Sequence, residues 1–141
     1  MALQYPPKVG QILVCQYPPC FEEPEMVKKR SVVVISPKFP GRSDLATVVP
    51  ISATAPDPIM AYHCELPTLL LPDYMQDGAP RWAKCDMVCT LSTTRLEMVK
   101  KGRDRSTGKR TYENKCLDLP TLLAVRRAVA AALGINAACF T

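Results

Sequence analysis

The sequence Arg-Ser-Val-Val-Val-Ile-Ser, from Arg30 to Ser36, is followed one loop later by Thr-Val-Val-Pro-Ile-Ser, from Thr47 to Ser52. β-Branched residues dominate both runs, which predicts two neighbouring β-strands, the first buried on both faces or covered by a partner. Lys28, Lys29 and Arg30 place cations where the first strand begins, and Ser52 ends the second with a hydroxyl. Because a buried strand holds such groups rigidly, this pair of strands suits a phosphodiester.

Shorter segments predict further strands around this pair. Residues 10–17 form a first strand that ends at Pro18-Pro19, and the polar segment 20–29 is expected to be a long, mobile connection. Further strands are expected at 63–66 and at 82–90, whereas 93–99 fits a strand or a helical turn equally well. Pro50, inside the strand from Leu45 to Ser52, implies a bulge or an edge position.

The C-terminal segment predicts one helix. Asp118 precedes Leu119-Pro120, a proline tolerated in a first helical turn, and Gly134 follows as a stop signal. Arg126 and Arg127 are expected to face solvent. Several short strands with one terminal helix indicate a mainly β (α+β) fold, a small barrel with a C-terminal helix. The apolar stripe expected to pack on the sheet comprises Leu122, Val125, Val129 and Leu133.

The length, the apolar stretches and the cysteine content of the chain limit the class of protein. The length of 141 residues corresponds to one domain, so residues 1–141 are expected to fold as a single unit. No stretch approaches the roughly 18 to 20 apolar residues of a membrane-spanning helix, and a signal peptide is not recognisable, so a cytoplasmic protein without membrane attachment is expected. The seven cysteines include no C-x-x-C pair and His63 is the single histidine, which predicts reduced, packed thiols and no metal site.

The net charge of +5 is concentrated in one segment. Residues 98–115 hold seven basic side chains against two acidic ones, and the rest of the chain sums to zero. Such a run is either a solvated loop or an electrostatic guide for a polyanion, whose binding weakens with salt. The basic side chains are Lys100, Lys101, Arg103, Arg105, Lys109, Arg110 and Lys115.

An ordered set of segments resembles the MazF/PemK family of type II toxin–antitoxin toxins. The likeness spans residues 9–133 and is closest to the PemK/Kid branch, where an Arg-Cys-Asp-like triplet stands in place of residues 84–86. The chain departs from the family at Ser52, where threonine is usual, at Lys84, where the branch has arginine, and in the basic segment 99–115, which is longer than the family's equivalent turn. The segments are Gly10-Gln-Ile-Leu-Val, residues 29–36, Val48-Val-Pro-Ile-Ser52, Lys84-Cys85-Asp86 with Thr90, and Arg95-Leu96.

This resemblance implies a small SH3-like β-barrel of the PemK/CcdB toxin type with a C-terminal helix. It also implies a homodimer, a cognate antitoxin that blocks the site, and no metal or other cofactor. The implied activity is a sequence-specific endoribonuclease acting on single-stranded RNA such as mRNA. In that family the RNA 2′-hydroxyl attacks the phosphate and leaves a cyclic phosphate and a 5′-hydroxyl.

The same resemblance assigns candidate catalytic residues. Arg30 is expected to stabilise the phosphorane with its bidentate guanidinium, Ser52 to donate to the phosphate, and Asp86 to accept the 2′ proton. Lys84 is a fourth candidate whose role is left open. The alternative bases are the loop carboxylates Glu22, Glu23 and Glu25, and the candidate RNA contacts, which include the basic segment, are Lys29, Thr90, Arg95, Lys100, Lys101, Arg103 and Arg105.

Two other functions remain open on the sequence. Barrels of this shape include a toxin family that poisons gyrase, so the fold is compatible with a non-catalytic toxin that binds a protein target. The basic segment alone is compatible with a nucleic-acid-binding module. The joint occurrence of Arg30, Ser52 and Asp86 favours catalysis, because a binding protein does not need all three.

Overall fold

Nine strands and one helix form the regular structure in the computed structural model of the chain, which describes residues 3, 5–19 and 21–136. Short 3₁₀ turns connect some of them, at Thr68–Leu70, Asp73–Met75, Cys85–Met87 and Thr93–Arg95. The strands and the helix are β1 (Ile12–Cys15), β2 (Arg30–Val34), β3 (Leu45–Ser52), β4 (His63–Leu66), β5 (Arg81–Lys84), β6 (Cys89–Ser92), β7 (Leu96–Glu97), β8 (Val99–Arg103), β9 (Arg110–Glu113) and α1 (Leu119–Ala132).

Seven strands make one antiparallel sheet, and β8 and β9 make a separate hairpin. The order in the sheet is β4-β5-β3-β2-β1-β7, with β6 also pairing with β3. Among the described residues β4 and β7 do not pair, so the sheet stays open and the closed barrel expected from the resemblance is not formed. The mainly β class with a C-terminal helix is confirmed.

The central strands are buried on both faces, as their apolar sequence predicts. Successive side chains of a strand point to opposite faces, so Val33 joins the core that α1 covers, together with Leu122. Val32 and Val34 join a second core on the other face. All three valines are 0% exposed, and burying each contributes roughly 1.5–3 kcal/mol to stability. Burial of these valines on both faces accounts for the rigid backbone expected at the start of β2.

Two expectations about the strands are corrected. Residues 82–90 are not one strand, because the turn Cys85–Met87 separates β5 from β6. Pro50 lies neither in a bulge nor on an edge, since β3 is an interior strand and its register with β2 is regular. On the other side of β3, Pro50 falls between the residues that pair with β6 and those that pair with β5. A residue without an N–H is tolerated at this change of partner.

The helix begins and packs as predicted, with two differences. The Asp118 side chain accepts a hydrogen bond from Thr121 N at 3.0 Å, which caps the first turn. Leu133, expected on the packed stripe, is 61% exposed. Arg126 is not solvated, because its guanidinium donates to the Ile35 carbonyl oxygen from Nε at 3.1 Å and from Nη2 at 2.9 Å. No helix in the described residues is long and apolar enough to cross a membrane.

Candidate functional site

Arg30 and Ser52 occupy one face of the sheet at the same end of two paired strands. In the register of β2 with β3, Val32 pairs with Pro50. Arg30 and Ser52 each lie two residues beyond this pair, so both side chains are on the face that carries Val32 and Pro50. This is the juxtaposition of a cation and a hydroxyl that the two runs in the sequence predict.

Lys84 shares this face. Strand β5 follows β3 in the sheet, and Ser52 pairs with Trp82. Lys84 lies two residues after Trp82 and therefore on the same side of β5. We call the surface formed by Arg30, Ser52, Trp82 and Lys84 the Arg30 face.

Asp86 reaches the neighbourhood of this face through the turn that ends β5. It is exposed and lines a groove of about 280 Å³ whose wall includes Glu25 and Met26. Arg30 lines a second cavity of about 340 Å³ that has the same two residues in its wall. The loop around Glu25 thus separates the two cavities, and it brings an alternative carboxylate close to both Arg30 and Asp86.

Arg30 is free to take an anion. Its side chain is exposed and forms no hydrogen bond or ion pair with any residue that the structure describes. The nearby Glu25 does not form an ion pair with it, so Arg30 is not an ordinary surface arginine held by a loop carboxylate. Since a guanidinium presents parallel donors to two oxygens, an unpaired arginine on a rigid strand is well suited to a phosphate.

Ser52 is more enclosed than Arg30. It is 7% exposed, and its Oγ accepts a hydrogen bond from Thr54 N at 3.1 Å. This bond orients the hydroxyl, and it uses Oγ as an acceptor, so the O–H hydrogen remains available for donation. The serine therefore supports the local backbone while keeping one donor.

Glu25 closes its own turn. Its Oε1 accepts from Glu22 N at 2.8 Å, and Glu25 N donates to the Glu22 carbonyl oxygen at 2.8 Å. These bonds form a local turn within the long connection between β1 and β2, which occurs as expected. The carboxylate is held at the wall between the two cavities.

Arg95 lies behind the groove and binds the chain itself. Its Nη1 donates to the carbonyl oxygens of Gln16 at 3.0 Å and Tyr17 at 2.9 Å, and its guanidinium lies 5.0 Å from the Phe21 ring centroid. These contacts hold the groove wall in place. Burial raises the pKa of the nearby Cys89 thiol, while the charge of Arg95 opposes that shift. The RNA contact predicted for Arg95 stays a prediction.

Thr90 and Lys29 lie outside the Arg30 face. Thr90 Oγ1 is 2.6 Å from Thr47 Oγ1, in a cross-strand pair of β6 and β3. Lys29 Nζ forms an exposed ion pair with Glu97 at 3.4 Å, an interaction that contributes little in water. Their predicted contacts with RNA also stay predictions.

The basic segment is an ordered hairpin rather than an irregular loop. The cross-strand pairs Lys100–Tyr112 and Arg103–Arg110 lie on one face, because a bulge between Lys100 and Gly102 restores the alternation. Asp104 organises the tip by accepting hydrogen bonds from Ser106 and Thr107, which lower the pKa of its carboxyl group.

The base of this hairpin is anchored to the body of the protein. The Glu113 carboxylate is buried and accepts from Asp73 N at 3.1 and 3.2 Å. Val99 is 2% exposed and belongs to the main core. An isolated two-stranded hairpin is marginal in water, so these contacts explain how the backbone that carries the cations is held on the body of the protein.

No set of three or more His, Cys, Asp or Glu side chains within residues 3, 5–19 and 21–136 is arranged to hold a metal ion. His63 is a residue of β4, as predicted, and its Nδ1 accepts from Met60 N at 2.9 Å. Trp82 is the member of the Arg30 face that sequence reasoning did not single out. The only signal for it was the two-residue spacing from Lys84.

Solved structures of bacterial toxins share this fold. The crystal structure of MazF (Form-I) from Deinococcus radiodurans matches with a TM-score of 0.61 and 19% identity, over 94% of this chain and 100% of that chain. An endoribonuclease in complex with its cognate antitoxin from Mycobacterial species matches with a TM-score of 0.59 and 16% identity, over 92% and 97% of the two chains. At these identities the comparison establishes the fold, which is that of the MazF-type toxins.

The sequence comparison establishes the family. The PemK-like, MazF-like toxins of type II toxin–antitoxin systems match residues 8–132, and the chain belongs to this family. The resemblance noted in the sequence is thereby confirmed. The uncharacterized protein YifN of Escherichia coli (strain K12) is 32% identical over 147 aligned residues, which cover 92% of this chain and 93% of that protein.

Proposed function

We propose that this protein is the toxin of a type II toxin–antitoxin system and acts as a metal-independent, sequence-specific endoribonuclease on single-stranded RNA, including mRNA. The observation that carries the proposal is the placement of Arg30, Ser52 and Lys84 on one face of the sheet. Asp86 and Glu25 supply carboxylates at the adjoining cavities. A cation, a hydroxyl and a base are the parts that cleavage by a 2′-hydroxyl requires.

In the proposed reaction the 2′-oxygen attacks phosphorus and the bond from phosphorus to the 5′-oxygen breaks. Asp86 or Glu25 accepts the 2′ proton, and a second proton reaches the departing 5′-oxygen. Arg30 and the Ser52 hydroxyl bind the phosphate oxygens, whose charge increases in the transition state. Lys84 either holds that charge or supplies the second proton. The products are a cyclic phosphate and a 5′-hydroxyl.

The hairpin of β8 and β9 is proposed to bind the RNA backbone outside the cleavage centre. Arg103 and Arg110 face each other across the hairpin, a like-charge pair that destabilises a free sheet. A phosphate between them removes this repulsion. Lys100 lies on the same face, opposite Tyr112, and Lys101 and Arg105 extend the cationic surface. Proposed contacts closer to the cleavage centre are Lys29, Thr90 and Arg95.

Family membership supports the remaining parts of the proposal. One solved relative is in complex with its cognate antitoxin. An antitoxin that covers the Arg30 face is proposed for this chain too, together with a homodimeric toxin, formed from a single domain, that works in the cytoplasm.

The test is cleavage of single-stranded RNA in the presence of a chelator. Arg30→Ala is expected to lower the single-turnover rate by roughly 10²–10³, the effect of removing one donor to a developing oxyanion. Arg42→Ala, which removes an exposed cation from a turn outside the site, is the matched control and is expected to leave the rate unchanged.

The variants Asp86→Asn and Glu25→Gln distinguish which of the two carboxylates is the general base. The variant that removes the general base is expected to lose most of the single-turnover rate, whereas the other keeps it. If the wild-type protein cleaves none of a mixed pool of RNA sequences, the proposal fails. The enclosed Ser52 then favours the second candidate, a non-catalytic toxin that binds a protein target.

A further inference from the structure

Trp82 lies on the Arg30 face without belonging to either core. It is the only tryptophan of the chain, it is partly exposed, and it stands between Ser52 on one neighbouring strand and Glu65 on the other. Neither of the two cores formed by the described residues contains it. A large aromatic ring that does not fill a core is typical of a binding surface.

The indole ring turns its polar edge inward. Trp82 Nε1 is covered, and it has no acceptor among the residues that the structure describes. A buried donor without a partner lowers stability, so the position is not optimised for folding alone. Whatever part of this side chain touches solvent is hydrocarbon, which is the surface that stacks on a flat π-system.

The charges around the ring indicate the ligand. Arg30 and Lys84 share the face with Trp82, and cations at fixed positions favour a polyanion over an apolar peptide. Neighbouring strands lie about 4.8 Å apart, so the ring is one strand from Ser52 and two from the strand of Arg30. A phosphate bound by Arg30 and Ser52 leaves the base of an adjoining nucleotide within reach of the indole.

We propose that Trp82 stacks on a base of single-stranded RNA beside the phosphate held at the Arg30 face. The inference rests on the proposed function, because it takes the phosphate from there, and it adds a base-binding residue to it. Stacking of this kind tolerates any base, so Trp82 contributes affinity and position. Selection of a particular cleavage sequence is left to other side chains.

The first experiment uses the tryptophan as its own probe. A 2′-O-methyl RNA oligonucleotide, which lacks the nucleophile, is titrated into the wild-type protein while tryptophan emission is recorded. Stacking is expected to quench the emission, with the same midpoint as the anisotropy of a labelled copy of the oligonucleotide. Because the chain has one tryptophan, the signal reports on Trp82 alone. Binding seen by anisotropy with unchanged emission overturns the inference.

The second experiment compares two substitutions by anisotropy. Trp82→Leu is expected to weaken binding by about fivefold or more, the lower limit for loss of one base–aromatic stack. Trp82→Phe keeps an aromatic ring and is expected to stay within about threefold of wild type. Tyr5→Leu is the control, since Tyr5 is 79% exposed and lines a different cavity. Equal affinities of Trp82→Leu and wild type overturn the inference, and if Trp82→Leu is unfolded by circular dichroism, the emission titration decides.

These results separate the inference from the proposed function. Quenching by the oligonucleotide without cleavage of unmodified RNA removes the proposed activity and keeps the base contact. Cleavage without quenching removes the base contact and keeps the activity. Quenching by an acidic peptide but not by the oligonucleotide assigns the surface to a protein ligand and overturns the inference, and no binding of the oligonucleotide contradicts both.

Discussion

Arg126→Met is expected to destabilise the protein, whereas Arg127→Met is not. Arg126 Nε and Nη2 both donate to the Ile35 carbonyl oxygen and so connect α1 to the end of β2. Arg127 is exposed and forms no hydrogen bond or ion pair with the described residues. Methionine preserves much of the apolar stem of either arginine, so the two variants isolate the guanidinium.

The magnitude follows from the geometry of the contact. A hydrogen bond to a charged group contributes roughly 1.5–3 kcal/mol. The two N–H groups of Arg126 share one acceptor, so they count as a single bidentate contact, and the expected loss is about 2 kcal/mol. For a chain of this length such a loss lowers the melting temperature by about 4 to 8 °C. Arg127→Met is expected to stay within about 0.5 kcal/mol of wild type.

Urea unfolding followed by circular dichroism measures both variants. The midpoint of Arg126→Met is expected to fall while the slope stays that of the wild type, because the change acts on the native contact. Arg126→Lys, which keeps the charge but not the planar fork, is expected to lie closer to Arg126→Met than to wild type. Equal midpoints for the two methionine variants would refute the structural role of Arg126.

Three further outcomes are expected. Plotting the log of the binding constant for single-stranded RNA against the log of the salt concentration gives a negative slope, and Arg103→Gln is expected to reduce its magnitude by about 0.7. Arg127→Gln is expected to leave the slope unchanged. Equal slopes for the two variants contradict the role of the hairpin. The pKa of Asp118 lies below its ordinary value because of its hydrogen bonds to the first helical turn, so its stabilisation is present at neutral pH and is lost as the pH falls below about 4. Thermal melts of Asp118→Asn should therefore show a weaker acid dependence than wild type. Burial raises the pKa of Cys15 to about 12, so iodoacetamide at pH 8 is expected to label exposed Cys116 before Cys15, and mass spectrometry showing Cys15 modified before Cys116 in folded protein contradicts this order.

The elements of the fold could be predicted mainly where the sequence pattern is local. The run from Arg30 to Ser36 and the strand Leu45–Ser52 have the β-branched composition of buried strands, and both occur as predicted. The helix from Leu119 follows from its capping aspartate and the spacing of its apolar residues. The break at Cys85–Met87 was missed, because the apolar pattern continues across it and only the pairing of β3 with two partners requires a turn there.

The candidate site could likewise be predicted only in part from the sequence. Arg30 and Ser52 stood out as a cation and a hydroxyl at the ends of two predicted strands, and the resemblance to the family added Asp86 and the catalytic roles. Their relative placement was not visible, because it depends on the register of β2 with β3 and of β3 with β5. A shift of one residue in either register would turn a side chain to the opposite face.

The sequence by itself determined the central strands, the C-terminal helix and the location of the positive charge, because composition and periodicity are properties of neighbouring residues. The family was indicated by the resemblance of an ordered set of segments, and the sequence comparison confirmed it. Only the tertiary structure decided that Trp82 shares a face with Arg30 and Lys84, that the basic segment is an anchored hairpin with Lys100, Arg103 and Arg110 on one face, and that Arg126 binds a backbone carbonyl. The face around Trp82 and the bond from Arg126 bring together residues far apart in the chain. Strand register and packing determine them, and no local pattern encodes either one.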